Sequence, residues 1–240
     1  GIPKPAAPAP PAELLIKRPQ STYAEAFRAL RTSIQFAEAA KPVRVVAITS
    51  AVPGEGKTTT AMGLARAMAA AGGKVLLIGA DARRRASSRE FADNVTLGLD
   101  EVLAGQATLE QAIIKDSLSD ACLLPQRLDS KGISLAESPR LAELIEEVRG
   151  RYDLVILDTP PVLPVDEARV IASMADGVVF LVRWRKTPSK AASVALRRLY
   201  DVHAEMLGAV LTLVDVREQE RAGYEGGGTF LKAYRPYYAD

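Results

Sequence analysis

The sequence predicts an α/β fold: a doubly wound, mostly parallel sheet with helices on both faces. Three observations predict it. From residue 43 onward, short apolar runs alternate with longer amphipathic ones, the rhythm of βαβ units joined by right-handed crossovers. Several short runs, such as Lys74-Val-Leu-Leu-Ile78 and Leu154-Val-Ile-Leu157, are nearly continuous in apolar residues, which suits strands covered on both sides. Finally, Ala51-Val-Pro-Gly-Glu-Gly-Lys-Thr58 sits between a strand-like run (43–49) and a helix-like run (58–71). That is the context of a phosphate-binding loop.

Taken in order, residues 1–20 carry Pro3, Pro5, Pro8, Pro10, Pro11 and Pro19. Such a segment is expected to be an extended linker without a core. Residues 22–39 read as a helix: Thr22 and Glu25 make a capping-box pattern, and Tyr23, Phe27, Leu30 and Ile34 share one stripe. Beside that stripe Glu25, Arg28 and Arg31 follow one another at i, i+3 spacing. By itself this is a solvated flank with an internal ion pair. Strands are expected at 43–50, 74–80, 121–125, 153–158, 177–183 and 207–214. Helices are expected at 58–71, 98–105, 108–115, 138–149, 166–174 and 188–204, the first closed by Gly72-Gly73. The resulting division is a linker (1–20), one nucleotide-binding domain (21–216) and a flexible tail (217–240). Tyr224, Tyr234, Tyr237 and Tyr238, four of the seven tyrosines, lie in the final 17 residues. Tails of that kind normally lack aromatics.

The bulk numbers fit a soluble globular domain. The chain has 240 residues, 48% hydrophobic and 25% charged, with a net charge of +2. That balance gives no electrostatic argument for nucleic acid. A lone cysteine, Cys122, excludes an internal disulfide framework and a cysteine-built zinc site, and fits a reducing compartment. No apolar run approaches the roughly 18 residues of a membrane span. The chain begins at Gly1 without Met, and is expected to be a piece of something longer.

The chemistry concentrates at strand ends. Gly54 and Gly56 let backbone N–H groups turn toward phosphate oxygens, and the following helix points its positive end at the same anion. Lys57 supplies a charge for the β- and γ-phosphates, and Thr58 a hydroxyl for Mg²⁺. The expected nucleotide-binding stretch is Pro53, Gly54, Glu55, Gly56, Lys57, Thr58 and Thr59. Asp158 follows an apolar strand directly, where a P-loop NTPase places its magnesium-side carboxylate. Asp81 leaves the preceding strand on the same edge and could reach the metal or an attacking hydroxyl. Arg83, Arg84 and Arg85 come next. One of them could meet a nucleotide or subunit edge, although such a run also suits a solvated loop. His203 and Trp184 read as surface or packing residues.

Taken together, these motifs resemble the cytoplasmic domain of bacterial tyrosine kinases, from about Ser21 to the C-terminus. The resemblance rests on Ala51-Val-Pro-Gly-Glu-Gly-Lys-Thr-Thr59, on residues 75–84, on residues 154–161, on Glu25-x-x-Arg28-x-x-Arg31, and on the tyrosine-rich end. Pro53 also separates the chain from partitioning-type ATPases, which carry a signature lysine there. The family implies ATP and Mg²⁺ as cofactors, with Lys57, Asp81 and Asp158 catalytic and Thr58, Asp81 and Asp158 at the metal. It implies a homo-oligomeric ring assembled through Glu25, Arg28 and Arg31. Tyr224, Tyr234, Tyr237 and Tyr238 would be phosphorylated between subunits. Further implied are a membrane polysaccharide co-polymerase as partner, an opposing protein-tyrosine phosphatase, a place on the cytoplasmic side of the inner membrane, and control of exopolysaccharide polymerisation and export.

The chain departs from the family pattern in three places. Gly79 stands where the family usually has a first aspartate, Thr212 where relatives often have an asparagine near the adenine, and residues 131–137 lack a usual Asn-Pro pair. Three readings follow: an active tyrosine autokinase, a kinase-impaired and nucleotide-gated scaffold of the same system, and, behind both, a partitioning-type switch ATPase.

Overall fold

Strand β1 (Val45–Ser50) lies between β5 (Leu154–Asp158) and β6 (Gly177–Arg183), parallel to both. Beyond β5 come β2 (Val75–Gly79), β4 (Cys122–Leu124) and β3 (Ile114–Lys115), and beyond β6 comes β7 (Met206–Thr212). Every pairing in this seven-stranded sheet is parallel except that of β3 with β4. The computed structural model describes residues 1–5, 11–37, 42–81, 95–126 and 135–221. The chain leaves β1 toward β2, returns to β5, and then crosses to β6 on the other side. The switch of direction therefore falls at β1 and β5, and a ligand crevice opens at their carboxyl ends.

Strands β1, β2 and β5 are buried along their whole length because both faces are covered. Val46, Ile48, Leu77 and Ile156 point into one core, while Val45, Ala47, Leu76 and Val155 point into the other. The first core is closed by α1 (Pro11–Lys17), α2 (Thr22–Gln35) and α3 (Lys57–Ala69). The second is closed by α4 (Leu99–Leu103), α5 (Leu109–Ala112), α6 (Pro139–Arg149), α7 (Glu167–Ser173) and α8 (Ser189–Tyr200). A last helix, α9 (Val216–Arg221), follows β7. Among the described residues no helix is long and apolar enough to cross a membrane.

The N-terminal segment differs from the extended, coreless linker expected of residues 1–20. Pro11 opens α1, a position where its missing N–H costs nothing. Leu14 and Leu15 then enter the first core together with Ile2. Residues 2–4 lie beside the end of β7: the Ile2 N–H donates to the Leu211 carbonyl (2.8 Å) and the Lys4 N–H to that of Val214 (2.8 Å). The prolines frame a helix here rather than preventing one.

Other boundaries shift for local reasons. The N-cap of α2 is Ser21, whose hydroxyl accepts from the Ala24 N–H at 3.2 Å, one residue before the expected Thr22–Glu25 box. The helix expected over 108–115 ends at Ala112, after a capping box between Thr108 and Gln111. The β-branched pair Ile113-Ile114 then turns extended, and Ile114 and Lys115 form the antiparallel edge strand. Helix α8 stops at Tyr200 instead of running to 204, closed by a turn in which exposed His203 has φ of +56°. Helix α9 reaches to residue 221 inside the region expected to be a tail from 217. The Arg83–Arg85 run, residues 131–134, Gly226–Gly228 and the tyrosines Tyr224, Tyr234, Tyr237 and Tyr238 lie outside the described residues.

Two contacts hold α3 in place. Gly63 lets the Phe27 ring of α2 lie against the α3 backbone, because a Cβ there would meet the ring at 2.4 Å. Arg66 makes a two-pronged, buried salt bridge to Asp116 (2.9 and 2.8 Å), which also accepts from the Ser119 hydroxyl (2.7 Å). Burial pushes the Asp116 carboxyl up, but the Arg66 guanidinium and the Ser119 hydroxyl outweigh it and hold it below the ordinary carboxylate range.

Two outcomes are expected. Gly63→Ala destabilises the domain by about 1–3 kcal/mol through overpacking, read as a lower urea midpoint at unchanged m-value. Asp116→Asn strands the Arg66 charge and costs about 3–5 kcal/mol near neutral pH. Because the folded-state pKa of Asp116 is depressed, its contribution is complete above the unfolded value of about 4 and is lost as pH falls through the folded one. Urea titrations of Asp116→Asn and the unmutated chain at descending pH therefore converge in acid.

Candidate nucleotide site

The loop from Ala51 to Gly56 leaves the carboxyl end of β1 and feeds directly into α3. Gly54 and Gly56 have φ of +84° and +86°, a conformation costly for any residue with a Cβ. Gly56 is also the N-cap of α3, so the loop and the positive end of the helix face the same space. Lys57, the first helical residue, is buried, while Pro53 is exposed at the tip of the loop.

Asp158 ends β5 and lies in register with Ile48 of β1 and Gly79 of β2. The Thr58 hydroxyl donates to its Oδ2 at 2.6 Å, and both residues are buried. The backbone beyond Asp158 is tied down on the β1 side. The Thr159 hydroxyl donates to the Ile48 carbonyl (3.1 Å), and the Thr49 hydroxyl to that of Pro160 (3.0 Å). Asp81 lies two residues past β2, with its residue 8% exposed, and the Ala80 N–H between them donates to the Asp158 carbonyl (2.9 Å). Gly54, Gly56, Lys57, Thr58, Asp81 and Asp158 thus converge on one edge of the sheet. Gly79, beside Asp158, brings no carboxylate.

This donor set fits a phosphate chain carrying Mg²⁺. Magnesium usually takes one or two protein oxygens and completes its shell with phosphate oxygens and water. A hydroxyl paired with a carboxylate beside a glycine loop and a lysine supplies that arrangement.

Glu55 behaves differently from its loop neighbours. Its carboxylate turns into the protein, where it accepts from the Val52 N–H (2.8 Å), the Arg183 N–H (3.2 Å) and the Thr187 hydroxyl. What it can offer a phosphate is backbone. Thr212 is also turned inward, its hydroxyl donating to the Glu55 carbonyl at 2.7 Å, and the Arg183 guanidinium reaches the Gly54 carbonyl at 3.3 Å. Arg183 and Thr187 escaped the sequence reading, and so did the bond from Thr212 to Glu55, because nothing in their local pattern signals a long-range hydrogen bond. The backbone N–H of half-buried Trp184 donates to the Thr212 carbonyl (3.0 Å), and its ring carries Arg185 over it.

The α2 residues are kept apart from this site. Arg28 pairs with Glu25 (2.6 Å) and donates to the Pro19 carbonyl (2.6 Å), while Arg31 donates to the Ala67 carbonyl of α3 (3.3 Å).

Comparison with known proteins bears on the family and the fold. The AAA domain family matches residues 43–205. The tyrosine-protein kinase YwqD of Bacillus subtilis is 35% identical over 214 residues, covering 89% of this chain and 90% of YwqD. The chain belongs to the bacterial tyrosine kinase family. The kinase domain of Escherichia coli Etk superposes with a TM-score of 0.78 at 32% identity, covering 86% of this chain and 81% of that one. The succinoglycan biosynthesis transport protein ExoP of Rhizobium meliloti is 32% identical across 95% of the chain, which spans 30% of ExoP's length. The chain likewise spans 29% of full-length Etk.

Within this family frame, Thr58→Val and Asp158→Asn test the metal side of the cradle. Each is expected to weaken Mg²⁺-dependent nucleotide binding by about tenfold or more, and to change binding in EDTA much less. Calorimetric titration with and without the metal checks it.

Proposed function

We propose that this domain is an ATP-dependent tyrosine autokinase that phosphorylates the C-terminal tyrosines of neighbouring copies. The observation that carries the proposal is the buried Thr58–Asp158 contact beneath the glycine loop. A hydroxyl and a carboxylate meet there, where a phosphate-bound metal would need them. The relatives named as tyrosine kinases supply the reaction class.

Each residue has a role in this reading. Backbone N–H groups around Gly54 and Gly56 cradle the phosphates, and Lys57 with the start of α3 balances charge on the transferring group. Thr58 and Asp158 hold Mg²⁺, whose chemistry when bound is to neutralise charge across the β- and γ-phosphates. Asp81 accepts the phenolic proton of the incoming tyrosine, and modest help suffices because phosphoryl transfer depends mainly on positioning. The phenolic oxygen forms its bond to the γ-phosphorus as the bond to the bridging oxygen breaks, and ADP leaves. Tyr224, Tyr234, Tyr237 and Tyr238 are the acceptors. Each phosphate adds nearly two negative charges, so a heavily modified tail would repel its neighbours and loosen the assembly.

In the same reading Glu25, Arg28 and Arg31 join copies into a ring, exchanging their present internal partners for those of a neighbour. An upstream or separate membrane polysaccharide co-polymerase anchors the ring at the cytoplasmic side of the membrane. A phosphatase resets it, and the cycle regulates polysaccharide export. ExoP is named for succinoglycan transport, which supports this setting.

Gly79 favours a second reading, a nucleotide-gated scaffold with weak kinase activity. The residue in register with Asp158 brings no side-chain base. Free tyrosine has a pKa near 10, and general-base help is typically worth about 10²–10⁴-fold.

Mass-spectrometric phosphosite mapping after incubation with Mg-ATP separates the two. The autokinase predicts phosphate on Tyr234, Tyr237 or Tyr238 that disappears in Lys57→Met. The scaffold predicts a bare tail that becomes phosphorylated in Gly79→Asp. A tail bare in both refutes kinase activity for this domain.

A further inference from the structure

The one buried acid within the phosphate loop does not face the phosphates. Glu55 is 1% exposed, and isolated carboxylates at that depth are strongly disfavoured. Its position is sustained by donors from three places: Val52 in the loop itself, Arg183 at the end of β6, and Thr187 in the turn between β6 and α8. The Thr187 hydroxyl does double duty, donating to Glu55 and accepting from the Arg183 N–H (2.9 Å). Thr212, at the end of β7, holds the Glu55 carbonyl (2.7 Å), and its side chain lies 3.9 Å from where a Cβ on Gly56 would sit. The loop is thereby tied by hydroxyls to the turn after β6 and to the end of β7, both outside the phosphate-loop motif.

We infer that Glu55 is a positioning residue, and that Thr187 and Thr212 clamp it so that the loop holds its phosphate-binding shape before nucleotide arrives. The inference rests on the nucleotide reading above and extends it to residues outside the loop. Its physical basis is the freedom of Gly54 and Gly56, which lack a Cβ and reach many backbone angles besides the +84° and +86° they hold here. An empty loop has no anion to gather its N–H groups, so something else must hold those angles. Without the Thr187 hydroxyl, the Glu55 carboxylate keeps a single long hydrogen bond on that oxygen, and turning outward to water becomes competitive. The loop then spends much of its time in shapes that do not bind.

That mechanism has a kinetic signature. If only a fraction of molecules is competent, apparent affinity falls by that fraction. The loss appears in the association rate, because the bound state is unchanged.

Stopped-flow binding of the magnesium complex of mant-ADP, a fluorescent ADP, tests it on the whole chain. Thr187→Val and Thr212→Val are expected to slow association by about tenfold, as for a competent fraction near one in ten. The dissociation rate and thermal midpoint stay close to those of the unmutated chain, and Thr187→Ser restores fast association. An unchanged association rate, a faster dissociation rate alone, or loss of folding in the valine variants overturns the clamp. Failure of the unmutated chain to bind mant-ADP overturns the nucleotide reading itself.

Discussion

Two loops that leave neighbouring strands must meet, and the hydrogen bond from Thr58 to Asp158 is where they do. It joins the first turn of α3 to the end of β5, so it requires β1 and β5 to be adjacent and in register. They are: Ile48 stands opposite Asp158. That adjacency cannot be made by local hydrogen bonds. It follows from the crossover that carries the chain from β1 past β5 to β2 and back, with helices burying both sheet faces. The site is a product of the topology, since displacing β1 or β5 would separate the hydroxyl from the carboxylate.

Side chains finish what the sheet begins by binding backbone. Asp176 accepts from the N–H groups of Arg44 (2.8 Å) and Val45 (2.7 Å) at the start of β1, and it also pairs with Arg149 at the end of α6. Burial pushes its carboxyl up, but Arg149 and the two N–H groups bring it below the usual range. Arg198 of α8 reaches the carbonyl of Leu163 (3.1 Å) in the segment that follows Asp158. Thr49, Thr159 and Glu55 act in the same way. Polar groups at this depth must be paired, so each such bond fixes a loop as well as satisfying an atom. Thr49, Thr159 and Glu55 make these bonds at the nucleotide edge, while Asp176 makes its own at the opposite end of β1.

The sheet was legible in the sequence because buried parallel strands produce short apolar runs that little else imitates. All six expected strands are present within a residue or two. Gly54, Gly56, Lys57, Thr58 and Asp158 stood out in the sequence because a phosphate site calls for those types at those places, and the structure brings them together. The misses share a cause. Leu14 and Leu15 sit among prolines, and only the distant surface of α3 makes their helix worthwhile. Ile114 becomes a strand because β4 offers an edge, a partner supplied by tertiary structure. Thr187 and Thr212 lie 132 and 157 residues from Glu55, and a hydroxyl in a polar turn looks the same whether its partner is water or a buried acid.

Gly79 takes on a different meaning in this setting. Its place in the register puts it directly beside Asp158, in a strand whose every residue is buried. A carboxylate added there would enter a site that already holds Asp158 and Asp81, and like charges so close raise one another's pKa unless a cation intervenes. A glycine relieves that repulsion when no metal is bound, and it removes a potential base when one is. In the proposed autokinase, nucleotide capture would rest on the loop, its clamp and the Thr58–Asp158 pair, none of which Gly79 touches through a side chain. Proton removal from tyrosine would fall to Asp81. On that reading capture and phosphoryl transfer are separable, and the glycine bears on the second far more than on the first.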